Sequence, residues 1–102
     1  MHPVTKLQAM DVKQHDSETK GRFYLEHDGK EIAAMHYVYA GPKSMIIDHT
    51  EVAEAFEGRG LGKELLAVLV SFARKQQIKV IPLCPFAKAV FDKVAAYQDV
   101  LA

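Results

Sequence analysis

Gly58, Gly60 and Gly62 alternate with Arg59, Leu61 and Lys63 just after an apolar run and just before a stretch of helical periodicity. A residue without Cβ turns tightly, takes positive φ at no steric cost and lets a ligand approach the main chain. The helix that follows offers amide N–H groups without intrahelical partners, and its macrodipole places about half a positive charge there. Strand, glycine turn and helix N-terminus in that order form a site for a phosphate or pyrophosphate. Two common phosphorylated ligands are excluded by spacing. A nucleotide P-loop needs a glycine where Glu57 stands and a hydroxyl where Glu64 stands. The dinucleotide fingerprint needs a third glycine where Lys63 or Leu65 stands.

Three further side chains have chemical potential. His49 and Glu51 are two apart on an extended run and so share one face. Either can take a proton, His49 with a pKa nearer neutrality; the alternative is that both are ordinary sheet-surface residues. Cys84 precedes Pro85, which suits the first position of a helix, so Cys84 becomes its N-cap. A thiol there gains from the dipole and shifts toward the reactive thiolate. The competing reading is a small buried hydrophobe. His2, His15, His27 and His36 show no metal-ligand spacing and read as surface or sheet residues, so no metal is expected.

The elements that must carry these groups follow from periodicity. Residues 1–9 form a loose tail, and 10–14 a short first strand followed by a polar connection over 15–20. Phe23 and Leu25 alternate with Arg22, Tyr24 and Glu26, a half-buried strand over 22–27. Asp28-Gly29 is a hairpin signal, with 32–40 as the returning strand. Gly41-Pro42-Lys43 turns the chain again into a strand over 44–52. After the glycines, Leu61, Leu65, Val68, Leu69, Phe72 and Ala73 recur at helical spacing. A strand over 79–83, a second helix over 85–93 and a last turn over 97–101 complete the chain. Joining 52 to 80 through one helix makes the flanking strands parallel. Pro82 lacks a ladder donor, so this strand is an edge or parts from its neighbour midway. The fold class is α/β (α+β), an antiparallel meander leading into one parallel crossover and a C-terminal helix, with 10–102 as a single domain.

Composition narrows the partners. Thirteen basic and thirteen acidic residues cancel, which argues against nucleic acid and anionic membrane surfaces. With one cysteine no intrachain disulfide forms, and the chain is expected in a reducing, cytoplasmic setting. No apolar run approaches membrane-spanning length.

The order of elements, with Gly58-Arg59-Gly60-Leu61-Gly62 after Thr50-Glu51-Val52, resembles the GNAT superfamily of N-acetyltransferases and its Arg/Gln-x-x-Gly-x-Gly/Ala signature. His49-Thr50-Glu51-Val52 before the turn and Pro82-Leu83-Cys84-Pro85-Phe86 after the helix are similar to a small bacterial branch of that superfamily. The resemblance covers roughly residues 10–100. It implies acetyl-CoA as the cofactor, with main-chain amides of Gly58, Arg59, Gly60, Leu61, Gly62 and Lys63 on the diphosphate. It places the pantetheine arm along Val52 and Ala53. Arg59 and Lys63 either touch phosphate or form a solvated face. It implies transfer of acetyl to an amine on a small molecule or peptide, with Glu51 or His49 as base, or through Cys84 as carrier. A homodimer that completes the site is left open. Two departures stand against the family pattern. Glu57 replaces the Arg or Gln and is expected to point away, and Phe91 replaces a tyrosine that often acts as general acid. Rival readings are a non-catalytic CoA or acyl-CoA sensor and a partner-binding module. The chain also has no room for the two helices that usually follow the first strand, which predicts an open acceptor side.

Overall fold

Hydrophobic alternation and three tight turns produce a five-stranded sheet, seen in a computed structural model that describes residues 11–102. The strands are Lys13–Asp16 (β1), Lys20–His27 (β2), Lys30–Tyr39 (β3), Ser44–Val52 (β4) and Lys79–Pro82 (β5), in that spatial order. The first four are antiparallel, and β4 and β5 are parallel. Asp28 and Gly29 both take positive φ, 52° and 76°, as a two-residue hairpin of the primed type requires.

The tail expected over residues 1–9 lies outside the described residues, as does Met10. The first strand is displaced from the expected 10–14, and His15 and Asp16 belong to it rather than to a connection. Side-chain hydrogen bonds account for this. The Tyr37 hydroxyl donates to Asp16 Oδ1, the Tyr39 hydroxyl donates to the same oxygen at 2.7 Å, and Gln14 Nε2 donates to Tyr37 Oη at 2.8 Å. Burial, then the bond to Asp16, push Tyr39 up to about 12, so it remains a donor at any physiological pH. Only residues 17–19 join β1 to β2, and no helix intervenes.

Two irregularities shape the sheet. Leu25 pairs with Ala33 but Glu26 with Glu31, leaving Ile32 as an extra residue in β3. His36 pairs with His49 but Tyr37 with Ile47, leaving Asp48 as an extra residue in β4. Each bulge resets which face the following residues occupy. In β4, Met45 and Ile47 point to the core before the bulge; beyond it Thr50 and Val52 take that face, and His49 and Glu51 take the other.

Helix α1, Leu61–Gln76, crosses from β4 to β5. Its buried stripe is Leu61, Gly62, Leu65, Leu66, Leu69, Val70 and Ala73. The expected Val68 and Phe72 sit at the half-buried border instead, because a helix laid on a sheet presents a wider face than one line of contacts. Helix α2, Pro85–Lys93, has Pro85 in its first turn and Cys84 at its N-cap, and buries Ala87 and Phe91. A 3-10 segment, Ala95–Val100, brings Leu101 beside Val80 and lets the Ala102 N–H donate to Val80 O at 2.9 Å. Both helices share one apolar core with the inner face of β2 to β5. The other face of the sheet carries no helix among the described residues.

Candidate functional site

The main chain at the start of α1 is left open by its own sequence. Gly60 is the N-cap, at φ 77° and ψ 16°, with no side chain bonded to the helix amides. A serine or aspartate there would satisfy one of the orphan donors internally. The first intrahelical bond is Glu64 N–H to Gly60 O at 3.1 Å. Among the described residues, no protein group accepts from the amides of residues 58–63. Gly58 also has positive φ, 81°, whereas Gly62 is helical and is small for another reason. A Cβ on Gly62 would come within 2.8 Å of the Phe86 ring, so the glycine lets α2 approach the first turn of α1.

These amides border a cleft of about 520 Å³. Its walls include Thr50 and Val52 from β4, Phe56 and Lys63 beside the turn, and Phe86 from α2. Of the expected cofactor residues, Val52, Gly58, Gly60, Leu61, Gly62 and Lys63 line it. Two do not. Arg59 is drawn back over the Phe56 ring, its guanidinium carbon 5.0 Å from the centroid, which removes it from the cleft wall. Ala53 has its N–H committed to Ile32 O at 2.7 Å, so it cannot donate to a pantetheine amide. By strand alternation Thr50 and Val52, not Ala53, turn their main-chain groups to the open edge of β4. Glu57, expected to point away, is itself among the lining residues. Phe56 and Phe86, which the sequence did not mark as site residues, both reach the cleft.

The edge is open because β5 stops. The last β4–β5 pair is Ile47 with Pro82, after which Leu83 N–H and Cys84 N–H both donate to Ile47 O, at 3.1 and 3.0 Å. The β4 bulge at Asp48 falls at the same level and bends that strand away. The strands therefore diverge at Pro82, as its missing N–H suggests.

Cys84 is at that fork, 4% exposed, and its Sγ is 3.2 Å from Thr50 Oγ1. It is not itself in the cleft wall; Thr50 is. His49 and Glu51 share a face as expected, but that face is opposite the cleft. The Glu51 carboxylate is 3.0 Å from His36 Nε2 and 3.4 Å from His49 Nε2. These two imidazoles, the His36 hydrogen bond first, hold Glu51 below the usual carboxylate range. His36 read only as a surface or sheet residue from the sequence. Among the described residues no cluster of His, Cys, Asp and Glu has the geometry to hold a metal, and no helix is long and apolar enough to cross a membrane.

A strand, an uncapped glycine turn and a splayed parallel pair make this a small α/β domain with a row of open main-chain amides, an arrangement suited to an anion. Residues 22–100 match the family described as GCN5-related N-acetyl-transferase, and the chain belongs to that family. Protein NATD1 of Xenopus tropicalis is 32% identical over 72 residues, which are 70% of this chain and 65% of that protein. A GCN5-like protein from Staphylococcus aureus, solved by NMR, superposes with a TM-score of 0.69 at 34% identity, over 89% of this chain and 88% of that one. A GNAT family acetyltransferase from Elizabethkingia anophelis, solved with acetyl-CoA bound, shares the fold at a TM-score of 0.59 and 14% identity, over 97% of this chain and 59% of that one.

Proposed function

We propose that this domain transfers an acetyl group from acetyl-CoA to an amine, with the donor and the acceptor meeting from opposite faces of the sheet at the fork between β4 and β5. The observation that carries this reading is the row of unpartnered amides over 58–63 beside that fork. Hydrogen bonds to charged oxygens contribute roughly 1.5–3 kcal/mol each, so several amides can hold a diphosphate without a cluster of cations. Lys63 adds a charge at the cleft wall, whereas Arg59 stays on Phe56. Val52 and Thr50 present the open strand edge to the pantetheine amides. Bound there, acetyl-CoA supplies an acyl carbon whose bond to sulfur breaks as the new bond to nitrogen forms.

The acceptor side is the uncovered sheet face, where Glu51 stands between two imidazoles. Held below the ordinary carboxylate range, Glu51 is ionised at neutral pH and has its lone pairs open to an ammonium, directly or through a water. The same shift lowers its basicity, so the transfer depends on orientation rather than on proton affinity. His49, largely exposed, passes protons on to solvent. Phe91 is buried and contributes no acid. The leaving thiolate needs little help, because a thiol of ordinary pKa near 8.5 departs readily.

Cys84 offers the covalent alternative, in which its sulfur takes the acetyl group before the amine does. Its 4% exposure and its bond to the Thr50 hydroxyl favour the direct route. Cys84→Ala is therefore expected to keep turnover within about threefold, with intersecting rather than parallel double-reciprocal lines for the wild type. Loss of turnover together with an acetylated Cys84 peptide in mass spectra establishes the carrier role instead. An amine panel tests the activity itself. Tight CoA binding with no turnover on any amine supports the sensor reading.

A further inference from the structure

We infer that His36 is a positioning residue for the reaction, holding the Glu51 carboxylate in the orientation in which it takes the acceptor's proton. The inference rests on the acetyl-transfer reading for its kinetic consequences but on geometry alone for the contact. An ionised carboxylate only accepts hydrogen bonds, so at 3.0 Å the His36 Nε2–H must donate to Glu51 Oε2. In the neutral imidazole this contact selects the tautomer that carries its proton on Nε2.

The contact exists because of the bulge. With regular pairing from the turn that joins β3 and β4, Tyr37 opposite Ile47 would place His36 opposite Asp48. The extra residue shifts His36 opposite His49 and Glu51 opposite Ala34. His36 and His49 are then cross-strand neighbours, ring centroids 5.4 Å apart, and both Nε2 atoms face one carboxylate. Ala34, 1% exposed, gives Glu51 no polar partner across the strand. The two bonds are unequal. His36 is 34% exposed at the side chain and His49 is 59% exposed, so His36 is the better fixed of the pair. Two of the nearby charges on this face have partners of their own. Arg22, opposite His36 on β2, is engaged with Glu31 at 3.0 Å, and Lys13 with Glu26 at 2.8 Å.

A single exposed ion pair of this kind contributes little to stability. Its effect is on orientation. A carboxylate that rotates freely on a 56% exposed side chain spends less time aligned with an incoming ammonium, and misplacement of a catalytic group is costly.

The test combines a readout on the free protein with one on turnover. In the free protein, at a pH where imidazole is neutral, long-range ¹⁵N–¹H spectra are expected to show His36 as the single Nε2–H tautomer, and Glu51→Ala is expected to turn it into a mixture. In turnover, His36→Ala is expected to lower kcat about tenfold with the acetyl-CoA dissociation constant unchanged, and His36→Gln, whose amide N–H also donates, is expected to recover most of the loss. A tautomer mixture at His36 in the wild type overturns the inference, and so does a full kcat in a folded His36→Ala variant. A chain with a fixed tautomer that turns over no amine fails the acetyl-transfer reading instead, and removes the kinetic role with it.

Discussion

Glu51→Gln is expected to lower kcat by about a hundredfold or more, the contribution a positioned base makes, while the dissociation constant for acetyl-CoA stays within twofold. The two effects separate because Glu51 and the cleft proposed to hold the cofactor are on opposite faces of β4. Thr50 and Val52 line the cleft, and Glu51, between them in sequence, points the other way. Glutamine keeps the shape of the side chain and can still accept from His36, so structure is preserved while basicity is lost. Isothermal titration with CoA and steady-state rates against the same amine give the two numbers. The pH profile follows from the sign of the shift. With its pKa lowered, Glu51 stays ionised as pH falls through the ordinary carboxylate range, so no loss of wild-type rate from protonation of Glu51 is expected near neutral pH. An unchanged rate in Glu51→Gln removes Glu51 as the base and leaves His49 in that role.

Gly60→Val is expected to weaken CoA binding by more than about tenfold, for a reason distinct from crowding. Nothing stands within 4 Å of where a Gly60 Cβ would be, but φ there is +77°. A left-handed conformation costs an ordinary residue roughly 1–2 kcal/mol, and a β-branched one is a marked outlier. Valine relieves that strain by moving the turn, and the orphan amides of Leu61, Gly62 and Lys63 move with it. Asparagine tolerates left-handed backbone, so Gly60→Asn is expected to bind CoA within about threefold of the wild type. The pair of variants, read by calorimetry and by melting temperature with and without CoA, separates backbone conformation from side-chain bulk. Equal weakening in both means that the space above Gly60, not its φ, is what the ligand needs.

The parts of this fold that depend on local pattern were legible in the sequence. Phe23 and Leu25 alternate as a half-buried strand and are buried as such. Asp28-Gly29 forms its hairpin, and Pro82 ends the parallel ladder. Pro85 opens the second helix. The parts that depend on registration between strands were not legible. An extra residue at Asp48 leaves no mark in the composition of the strand, yet it decides that His36 meets Glu51. Side-chain anchors were equally silent. The bonds from Tyr37 and Tyr39 to Asp16 bring two residues of an expected connection into β1. In the site itself the glycines announced the open amides, because their types and spacing are the local cause. Where Arg59 and Ala53 go is decided by Phe56 and by Ile32 O, which are contacts the motif does not contain.

The most direct measurement is an amide-resolved NMR titration of the full chain with CoA. Diphosphate held by the start of α1 is expected to move the N–H signals of residues 58–63 furthest, all with one dissociation constant, and to move Thr50 and Val52 along the open edge of β4 with them. Signals over 58–63 that stay in place at saturating CoA contradict the account, whatever else in the spectrum shifts.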